Sequence, residues 1–409
     1  MDRAAIQRRT LQTLVASQML GGVAVASGFA VGTLLAEEVS GSTTLAGLAT
    51  TAMALGAAFF AVPLSRLMAR SGRRPGLVAG YALGAAGAVI MVLAARLASY
   101  PLLLLGLAAF GGGIAANLQA RYAAADLAEP SRRGRALSLI MWATTLGIVI
   151  GPNLIEPGGD VADWLGLPRL AGPFVFAAGA FGIALAVLFV RLRPDPLRVG
   201  GALTGAVGMP VRLPLSTALR TIAAAPRALL GLAAVTISHT VMVAVMVMTP
   251  VHMHHGGATL RVIGLVISGH LAGMYALSPL IGWMTDRFGR LAVVVLGAGL
   301  LGAALALAGT APAGHSARLA IGLILLGVGW SACLVAGSTM LTESVPVASR
   351  PGVQGSADLV MGLGGAVGGA IGGVVVGTTG FGWLALGAAP LLLALLALAT
   401  LTARVPRTA

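Results

Sequence analysis

Charged residues are scarce in this chain, and so are cysteine and lysine. Only 9% of the 409 residues are charged, whereas 57% are hydrophobic. A soluble globular domain usually carries about a quarter charged residues, so this composition excludes that class. Lysine is absent and Cys333 is the single cysteine, which excludes an internal disulfide. We expect Cys333 to be a small apolar residue inside a helix.

The apolar residues form long runs, and a helix needs about 20 such residues to cross the core of a bilayer. The sequence therefore predicts an all-α integral membrane protein with twelve transmembrane helices. The first run is too long for a cleavable signal peptide and lacks a small-residue cleavage site, so we interpret it as a retained helix. The predicted helices begin near Leu11, Thr43, Pro75, Pro101, Arg135, Ala171, Arg227, Thr259, Leu291, Arg318, Gly352 and Gly382.

The series of apolar runs is interrupted near the middle of the chain. From Arg191 to Pro226 the sequence turns to Arg-Leu-Arg-Pro-Asp-Pro and a stretch that contains proline and glycine. We interpret this break as a connection between two sets of six helices. The predicted organisation is an N-terminal half over residues 1–192, a cytoplasmic linker over 193–226 and a C-terminal half over 227–409.

Arginine supplies all of the basic charge, and its distribution indicates an orientation. If both termini are cytoplasmic, all but four of the 26 basic residues fall on the inner side. The four on the outer side are Arg96, Arg169, Arg261 and Arg318. Cytoplasmic loops carry an excess of basic residues, so the net charge of +14 is a topology signal. It argues against nucleic acid as a partner, and membrane lipids are the expected surroundings.

Two short segments at equivalent positions of the halves form an internal repeat. Arg70-Ser-Gly-Arg-Arg follows the second predicted helix, and Asp286-Arg-Phe-Gly-Arg follows the eighth. Glycine permits a tight turn there, while the arginines stay at the membrane surface. The second segment, together with Gly282, resembles the signature loop Gly-x-x-x-Asp-Arg-x-Gly-Arg of the major facilitator superfamily. The first departs from that pattern, because Ala69 stands where the family has aspartate.

The resemblance implies the fold of that superfamily, with twelve helices in two six-helix halves, and a secondary transporter that works by alternating access. No phosphate-cradling loop and no hydrolytic triad is visible in the sequence. ATP-driven transport and enzyme catalysis are therefore disfavoured, and no cofactor is expected.

Histidine and methionine concentrate in one region of the second half. Between Ser238 and Met274 the chain gathers five of its 6 histidines and five of its 15 methionines. Two neighbouring predicted helices carry Met242-x-x-x-Met246 and His270-x-x-x-Met274. Side chains four apart lie one turn apart on the same helix face. Each helix therefore presents a pair of uncharged ligands near the middle of the membrane, and His239 extends the first pair.

The chemistry of these ligands favours copper(I). Thioether sulfur is a soft, neutral donor that suits copper(I), whereas zinc prefers thiolate, imidazole or carboxylate and hard cations require oxygen. No acidic residue lies between Asp195 and Asp286. Because methionine and neutral imidazole carry no charge, a copper(I) ion bound by two or three methionines and one histidine would keep its single positive charge. The alternative is that the methionines are flexible side chains that fill gaps in the hydrophobic core, and that His270 is a hydrogen-bonded interior residue.

A second group of ligands follows the first methionine pair. His252-Met-His-His255 is predicted at the outer end of the seventh helix, where His252, His254 and His255 are able to collect metal and pass it inward. Imidazole binds metal when it is deprotonated, so capture should weaken in acid. The alternative is a polar turn with histidines at the membrane interface.

Two acidic residues fall within or at the ends of predicted helices, and they are the candidates for proton coupling. An aspartate in lipid is costly unless it faces the protein interior. We expect Asp126 to pair with Arg121 or with an arginine of a cytoplasmic loop. Asp358, beside Gln354 and Met361, is the second candidate.

Small residues at helical spacing predict close helix packing. Gly147-x-x-x-Gly151-Pro152 in the fifth helix is similar to a motif of proton-coupled drug exporters without its last glycine, and we interpret it as a packing surface. The eleventh helix is rich in glycine and presents a surface that permits sliding. Its glycines are Gly362, Gly364, Gly365, Gly368, Gly369, Gly372 and Gly373.

The paired ligands resemble those of the CcoA-type copper importers of the superfamily, which have Met-x-x-x-Met in helix seven and His-x-x-x-Met in helix eight. The resemblance implies copper import across the bacterial inner membrane, for assembly of cytochrome oxidase, with a cytoplasmic copper acceptor as partner. Two alternatives stay open: a proton-coupled transporter of a small organic molecule, such as a drug or a vitamin, and a membrane copper sensor without transport.

Overall fold

The computed structural model describes residues 3–41, 43–203, 214–258, 260–312 and 317–404. The described chain is helical and contains no β-strand. In the first half the helices are α1 (Arg3–Ser40), α2 (Thr43–Ser71), α3 (Arg73–Leu97), α4 (Tyr100–Ala125), α5 (Arg133–Ile150), α6 (Ile155–Trp164) and α7 (Gly172–Arg191). Two short helices follow in the predicted linker, α8 (Pro196–Leu203) and α9 (Leu215–Ala224).

The second half continues with long helices, several of which are interrupted or followed by short ones. They are α10 (Pro226–His255), α11 (Leu260–Tyr275), α12 (Ser278–Phe288), α13 (Arg290–Gly309), α14 (Ala317–Glu343), α15 (Arg350–Thr378), α16 (Phe381–Gly387) and α17 (Ala389–Ala403). The eighth predicted span is thus divided between α11 and α12, and the twelfth between α16 and α17.

The all-helical membrane architecture predicted from the apolar runs is confirmed. A helix stands at each of the twelve predicted positions, and among the described residues 10 segments are long and apolar enough to cross a bilayer. The two predicted spans outside that set correspond to α1 and α5. Large apolar side chains such as Phe59 and Val374 are 66% and 67% exposed, as expected where a helix faces lipid.

Contacts divide the chain into two compact units. Unit 1 comprises Met1–Ala128, Ala143–Ala218 and Pro346–Leu359, and unit 2 comprises Glu129–Trp142, Leu219–Val345 and Val360–Ala409. Each unit therefore includes one segment from the other predicted half. The start of α15 packs with unit 1, and the start of α5 packs with unit 2.

Each unit is built around one central helix. In unit 1, α4 packs against α2 and α3, while α1 and α3 also pack against α7. Tyr81, Phe110 and Phe181 form an aromatic cluster there, with ring centroids 5.5 and 5.3 Å apart. In unit 2, α14 packs against α10, α11 and α13. Cys333 of α14 is fully buried, which confirms its predicted place in the core.

The two repeated turns have the same backbone conformation. Gly72, between α2 and α3, has φ 96°, and Gly289, between α12 and α13, has φ 92°. Residues with a side chain rarely adopt such angles, so glycine is required at both turns. The tight reversals predicted from the sequence repeat are confirmed.

Glycines also permit close approach of helices, as predicted. A Cβ atom on Gly147 would lie 2.3 Å from the backbone carbon of Gly22 in α1. In unit 2, a Cβ atom on Gly368 of α15 would lie 2.5 Å from the carbonyl oxygen of Thr240 in α10. Neither position has space for a side chain, so both sequence patterns act as packing surfaces.

Candidate functional site

His270 is a buried imidazole with one ring nitrogen in a hydrogen bond and the other without a partner among the described residues. It lies on α11 and is 1% exposed, and its Nδ1 atom is 2.8 Å from the carbonyl oxygen of Leu323 on α14. A carbonyl only accepts hydrogen bonds, so Nδ1 carries the proton and Nε2 keeps its lone pair. That Nε2 atom is buried and has no hydrogen-bond partner among the described residues. Metal-binding histidines are commonly oriented by a backbone carbonyl in this way.

The methionines of the two predicted pairs lie in the interior or close to it. Met274, one turn after His270 on α11, is 6% exposed, as is Met242 on α10. Met246 is half-buried. The helices α10 and α11 both pack along α14 and contact each other little. Convergence of the two pairs on one ion would therefore depend on α14 as the common support, and it stays a prediction.

His239, the predicted extension of the methionine pair, is engaged by a neighbour. Trp330 Nε1 donates a hydrogen bond to His239 Nδ1 over 3.2 Å. An indole only donates, so the neutral His239 ring carries its own proton on Nε2. That atom lies against α15, because a Cβ atom on Gly365 would be 2.8 Å away. Metal binding by His239 would require the ring to leave Trp330.

The outer histidines are described only in part. His252 stacks on Phe381 at the start of α16, with ring centroids 4.3 Å apart and ring planes at 12°. The side chains of His254 and His255 lie outside the described residues. Among the side chains that are described, no group of three His, Cys, Asp or Glu residues is placed to hold a metal ion. The predicted capture site at this end of α10 stays a prediction.

Unit 1 buries a pair of opposite charges that joins α4 to the start of α15. Arg121 Nη2 lies 2.6 Å from Asp358 Oδ1, and both side chains are at most 5% exposed. Arg121 also donates to the hydroxyl oxygen of Tyr122 over 2.9 Å. The other carboxylate oxygen, Asp358 Oδ2, is buried and has no hydrogen-bond partner in the described part of the chain. One acceptor in this ion pair therefore stays unused.

Asp126 pairs with an arginine of the first repeated segment. Arg73 donates to both of its carboxylate oxygens, over 2.7 and 3.1 Å, and also to Gln354 over 2.7 Å. The prediction that Asp126 pairs with an arginine of a cytoplasmic loop is therefore confirmed, and the prediction that it pairs with Arg121 is wrong. Arg121 is drawn away because Asp358 approaches it from α15, a contact distant in sequence.

A cluster of neutral polar side chains lies between helices of unit 1, and the sequence analysis missed it. Gln18 of α1 donates to Asn117 of α4 over 2.6 Å and to Thr144 of α5 over 2.9 Å. The hydroxyl group of Tyr81 is 3.5 Å from the Asn117 amide. The Gln18 carbonyl oxygen is buried without a partner among the described residues. The available signal was an amide within an apolar run, which is costly in a membrane.

Comparison with known proteins decides the family. The family model described as Major Facilitator Superfamily matches residues 13–258 and 230–409. The chain belongs to the major facilitator superfamily. This family consists of membrane transporters rather than enzymes, so the predicted fold and general activity are confirmed.

Relatives within the superfamily differ in what is known of their cargo. The uncharacterized MFS-type transporter YddS of Bacillus subtilis is 39% identical over 392 residues, which covers 96% of this chain and 90% of the relative. The riboflavin transporter RfnT of Brucella anthropi is 29% identical over 366 residues, which covers 88% and 87%. The solved structure of the proton:xylose symporter XylE has a TM-score of 0.76, at 16% identity, and the match covers 99% and 97%. That likeness shows the fold alone.

The signature loop of the superfamily acts as a helix cap in unit 2. Asp286 accepts hydrogen bonds from the backbone N–H groups of Gly134 and Arg135, over 2.9 and 3.0 Å, at the start of α5. A carboxylate there is favoured by the helix dipole. Gly282 leaves no space for a side chain, because a Cβ atom would lie 2.7 Å from the backbone carbonyl oxygen of Gly134.

In unit 1, where Ala69 replaces the signature aspartate, a different carboxylate caps a different helix. Asp195, which precedes α8, accepts a hydrogen bond over 2.8 Å from the backbone N–H of Arg74 in the first turn of α3. The superfamily's aspartate is thus missing from the first repeat, while Arg73 keeps a carboxylate partner in Asp126. The departure in sequence does not leave that arginine unpaired.

Proposed function

We propose that this transporter imports copper(I) by alternating access, with His270, Met274, Met242 and Met246 as its ligands. The observation that carries the proposal is the state of His270, which is buried, oriented by the Leu323 carbonyl and left with an unused Nε2 lone pair. Met274 is buried one turn away on the same helix. Soft, neutral ligands of this kind suit copper(I).

The resemblance of the paired motifs to CcoA-type importers supports the same cargo. On this proposal the protein acts in a bacterial inner membrane with both termini cytoplasmic, as the arginine distribution favours. Copper is passed to a cytoplasmic acceptor and supports assembly of cytochrome oxidase. The outer histidines His252, His254 and His255 collect the ion, and His239 joins the site when it leaves Trp330.

For the coupling ion we propose protons, with Asp358 as the residue that carries them. Both oxygens of Asp126 are bonded to Arg73, whereas only one oxygen of Asp358 is bonded, to Arg121 and Tyr122. The unused oxygen is a place for a proton whose arrival would weaken the pair with Arg121. Asp126 therefore has the structural role, and Asp358 is the better candidate.

A second function is favoured by a different observation. The neutral cluster of Gln18, Asn117, Thr144 and Tyr81 offers donors and acceptors without charge, and the relative RfnT is a riboflavin transporter. A neutral or aromatic organic molecule with amide groups would fit such a cluster. On this alternative the methionines only fill the core.

Ligand substitutions separate the two functions. We expect His270→Gln, Met274→Leu and Met242→Leu each to reduce uptake of radioactive copper to near background, because each removes a donor while roughly keeping volume. Met91→Leu, a buried methionine of α3 in unit 1, is the matched control and should keep uptake. Copper uptake that is unchanged across the series, with riboflavin uptake abolished by Gln18→Leu, would replace the copper proposal with the organic one.

A further inference from the structure

A large cavity lies within unit 2, at the end where α10 begins and α14 and α17 end. Its volume is about 1160 Å³, which exceeds the roughly 300–1,000 Å³ of most ligand pockets. Its lining comes from six helices, α5, α9, α10, α13, α14 and α17, and from the turns beside them, all within unit 2. Neither the proposed copper site nor the neutral polar cluster contributes a residue to it. A ligand in this cavity would therefore be independent of the cargo.

The charged lining of this cavity is predominantly basic. Arg133, Arg227 and Arg290 line it, with Glu343 as the one carboxylate. Glu343 accepts from Arg290 over 2.8 and 3.1 Å and lies 3.6 Å from Arg133. Arg227 is exposed and forms no ion pair among the described residues. An excess of positive charge therefore remains after the internal pairs are formed.

Helix ends at the cavity do not cancel this excess. The helices α5, α10 and α13 begin at lining residues, and their N-terminal ends carry partial positive charge. The ends of α9, α14 and α17 contribute partial negative charge, so the helix ends roughly balance one another. Asp286 caps α5 and lies 3.7 Å from Arg290, but Arg135 also lies 4.0 Å from Asp286. Counting these neighbours leaves the arginines in excess.

The lining also has an apolar part. Leu291 and Met340 line the cavity together with small apolar residues. A ligand that carries a phosphate group beside an apolar chain would therefore find both of its parts matched, and basic pockets between transmembrane helices bind anionic headgroups. The geometry points to a binding site for a phosphate group in this cavity, held by Arg227 and supported by Arg290 and Arg133. The phosphate belongs either to an anionic phospholipid or to a free ion.

Native mass spectrometry of the purified full-length protein tests this site. Phosphatidylglycerol, phosphatidylcholine and inorganic phosphate are added separately, and the bound fraction is compared among variants. We expect Arg227→Gln to weaken phosphatidylglycerol binding about fivefold, the effect of one arginine near a membrane surface. Arg227→Lys should keep most of the binding. Arg66→Gln removes an exposed arginine of unit 1 that does not line the cavity, and it should change nothing.

The possible results distinguish three cases: a lipid headgroup at this site, a free phosphate ion, and no phosphate site at Arg227. Loss of phosphatidylglycerol in Arg227→Gln, without competition by inorganic phosphate, identifies a lipid headgroup. Binding of inorganic phosphate that Arg227→Gln abolishes, with no preference for phosphatidylglycerol, identifies the free ion. Equal binding in the wild type, Arg227→Gln and Arg66→Gln overturns the proposal, as does equal loss in both Gln variants. Unchanged thermal unfolding of the variants shows that each is folded.

Discussion

At the scale of single residues, buried polar groups carry most of the information about function. His270, Asp358 and Gln18 each have one buried atom without a partner among the described residues. Such an atom is costly in a membrane, which is why we propose these three residues as binding places for an ion, a proton and a substrate group. Cys333, by contrast, packs against Gly297 in the core, and its Sγ atom lies 3.9 Å from the carbonyl oxygen of Val294.

The ion pair of Arg121 and Asp358 predicts a non-additive effect on stability. Asp358→Asn would leave Arg121 buried without its counter-charge, and we expect a loss of about 3–5 kcal/mol in the free energy of unfolding. Arg121→Gln combined with Asp358→Asn should recover much of that loss, because neither position then holds a buried charge without its partner. Denaturant unfolding in detergent of the single and double variants measures this cycle.

The exposed pair of Arg169 and Asp160 is the control for that cycle, since both side chains are more than half exposed. Asp160→Asn should leave unfolding nearly unchanged. The double variant of Arg121 and Asp358 also tests coupling. If its uptake still responds to a proton gradient as the wild type does, Asp358 does not carry the coupling proton.

At the scale of elements, α14 determines where the proposed ligands lie. It packs against both α10 and α11, and its Leu323 carbonyl orients His270. The approach of α11 depends on Gly327, where a Cβ atom would lie 2.4 Å from the carbonyl oxygen of His270. Gly273 of α11 makes a similar approach, since a Cβ atom there would lie 2.6 Å from the carbonyl oxygen of Ile324. The position of the ligand-bearing helix therefore depends on residues that contribute no ligand.

Gly327→Ala predicts displacement of α11. The added methyl group would collide with backbone rather than with a movable side chain, so we expect a stability loss of about 1–3 kcal/mol and a clear loss of copper(I) binding. Gly299→Ala on α13 is the control, because nothing lies within 4 Å of a Cβ atom there. Titration with copper(I) and thermal unfolding measure the two effects. Normal copper binding by Gly327→Ala would show that α14 does not position the site.

At the scale of the whole molecule, the arginine distribution predicts the orientation in the membrane. The expected topology places α9 inside and the turn between α13 and α14 outside. Because Cys333 is buried, a variant with Cys333→Ala provides a background for single reporter cysteines. Ser216 and Thr310 are exposed at these two places.

In intact cells, a maleimide that cannot cross the membrane should label Thr310→Cys and leave Ser216→Cys unlabelled. Permeabilised cells should label both. The reverse labelling pattern would show that the topology is inverted. His252, His254 and His255 would then lie on the cytoplasmic side, and they could not collect copper from outside the cell.

The apolar runs alone predicted an all-helical membrane protein, because the bilayer requires internally bonded segments of a minimum length. The signature repeat likewise indicated the superfamily and the glycine turns at Gly72 and Gly289. Pairing between distant residues could not be predicted in this way. Asp126 pairs with Arg73, and Arg121 pairs with Asp358, because α4 lies beside both α3 and the start of α15.

Local pattern therefore determined which segments are helical and which residue types each presents, since hydropathy and helical spacing are properties of neighbouring residues. Only the tertiary structure decided which polar atoms are satisfied and which stay unused. His270 and His239 are both apolar-run histidines near a methionine, yet one keeps a lone pair and the other accepts from Trp330. That difference arises from helices brought together by packing, which depends on distant residues.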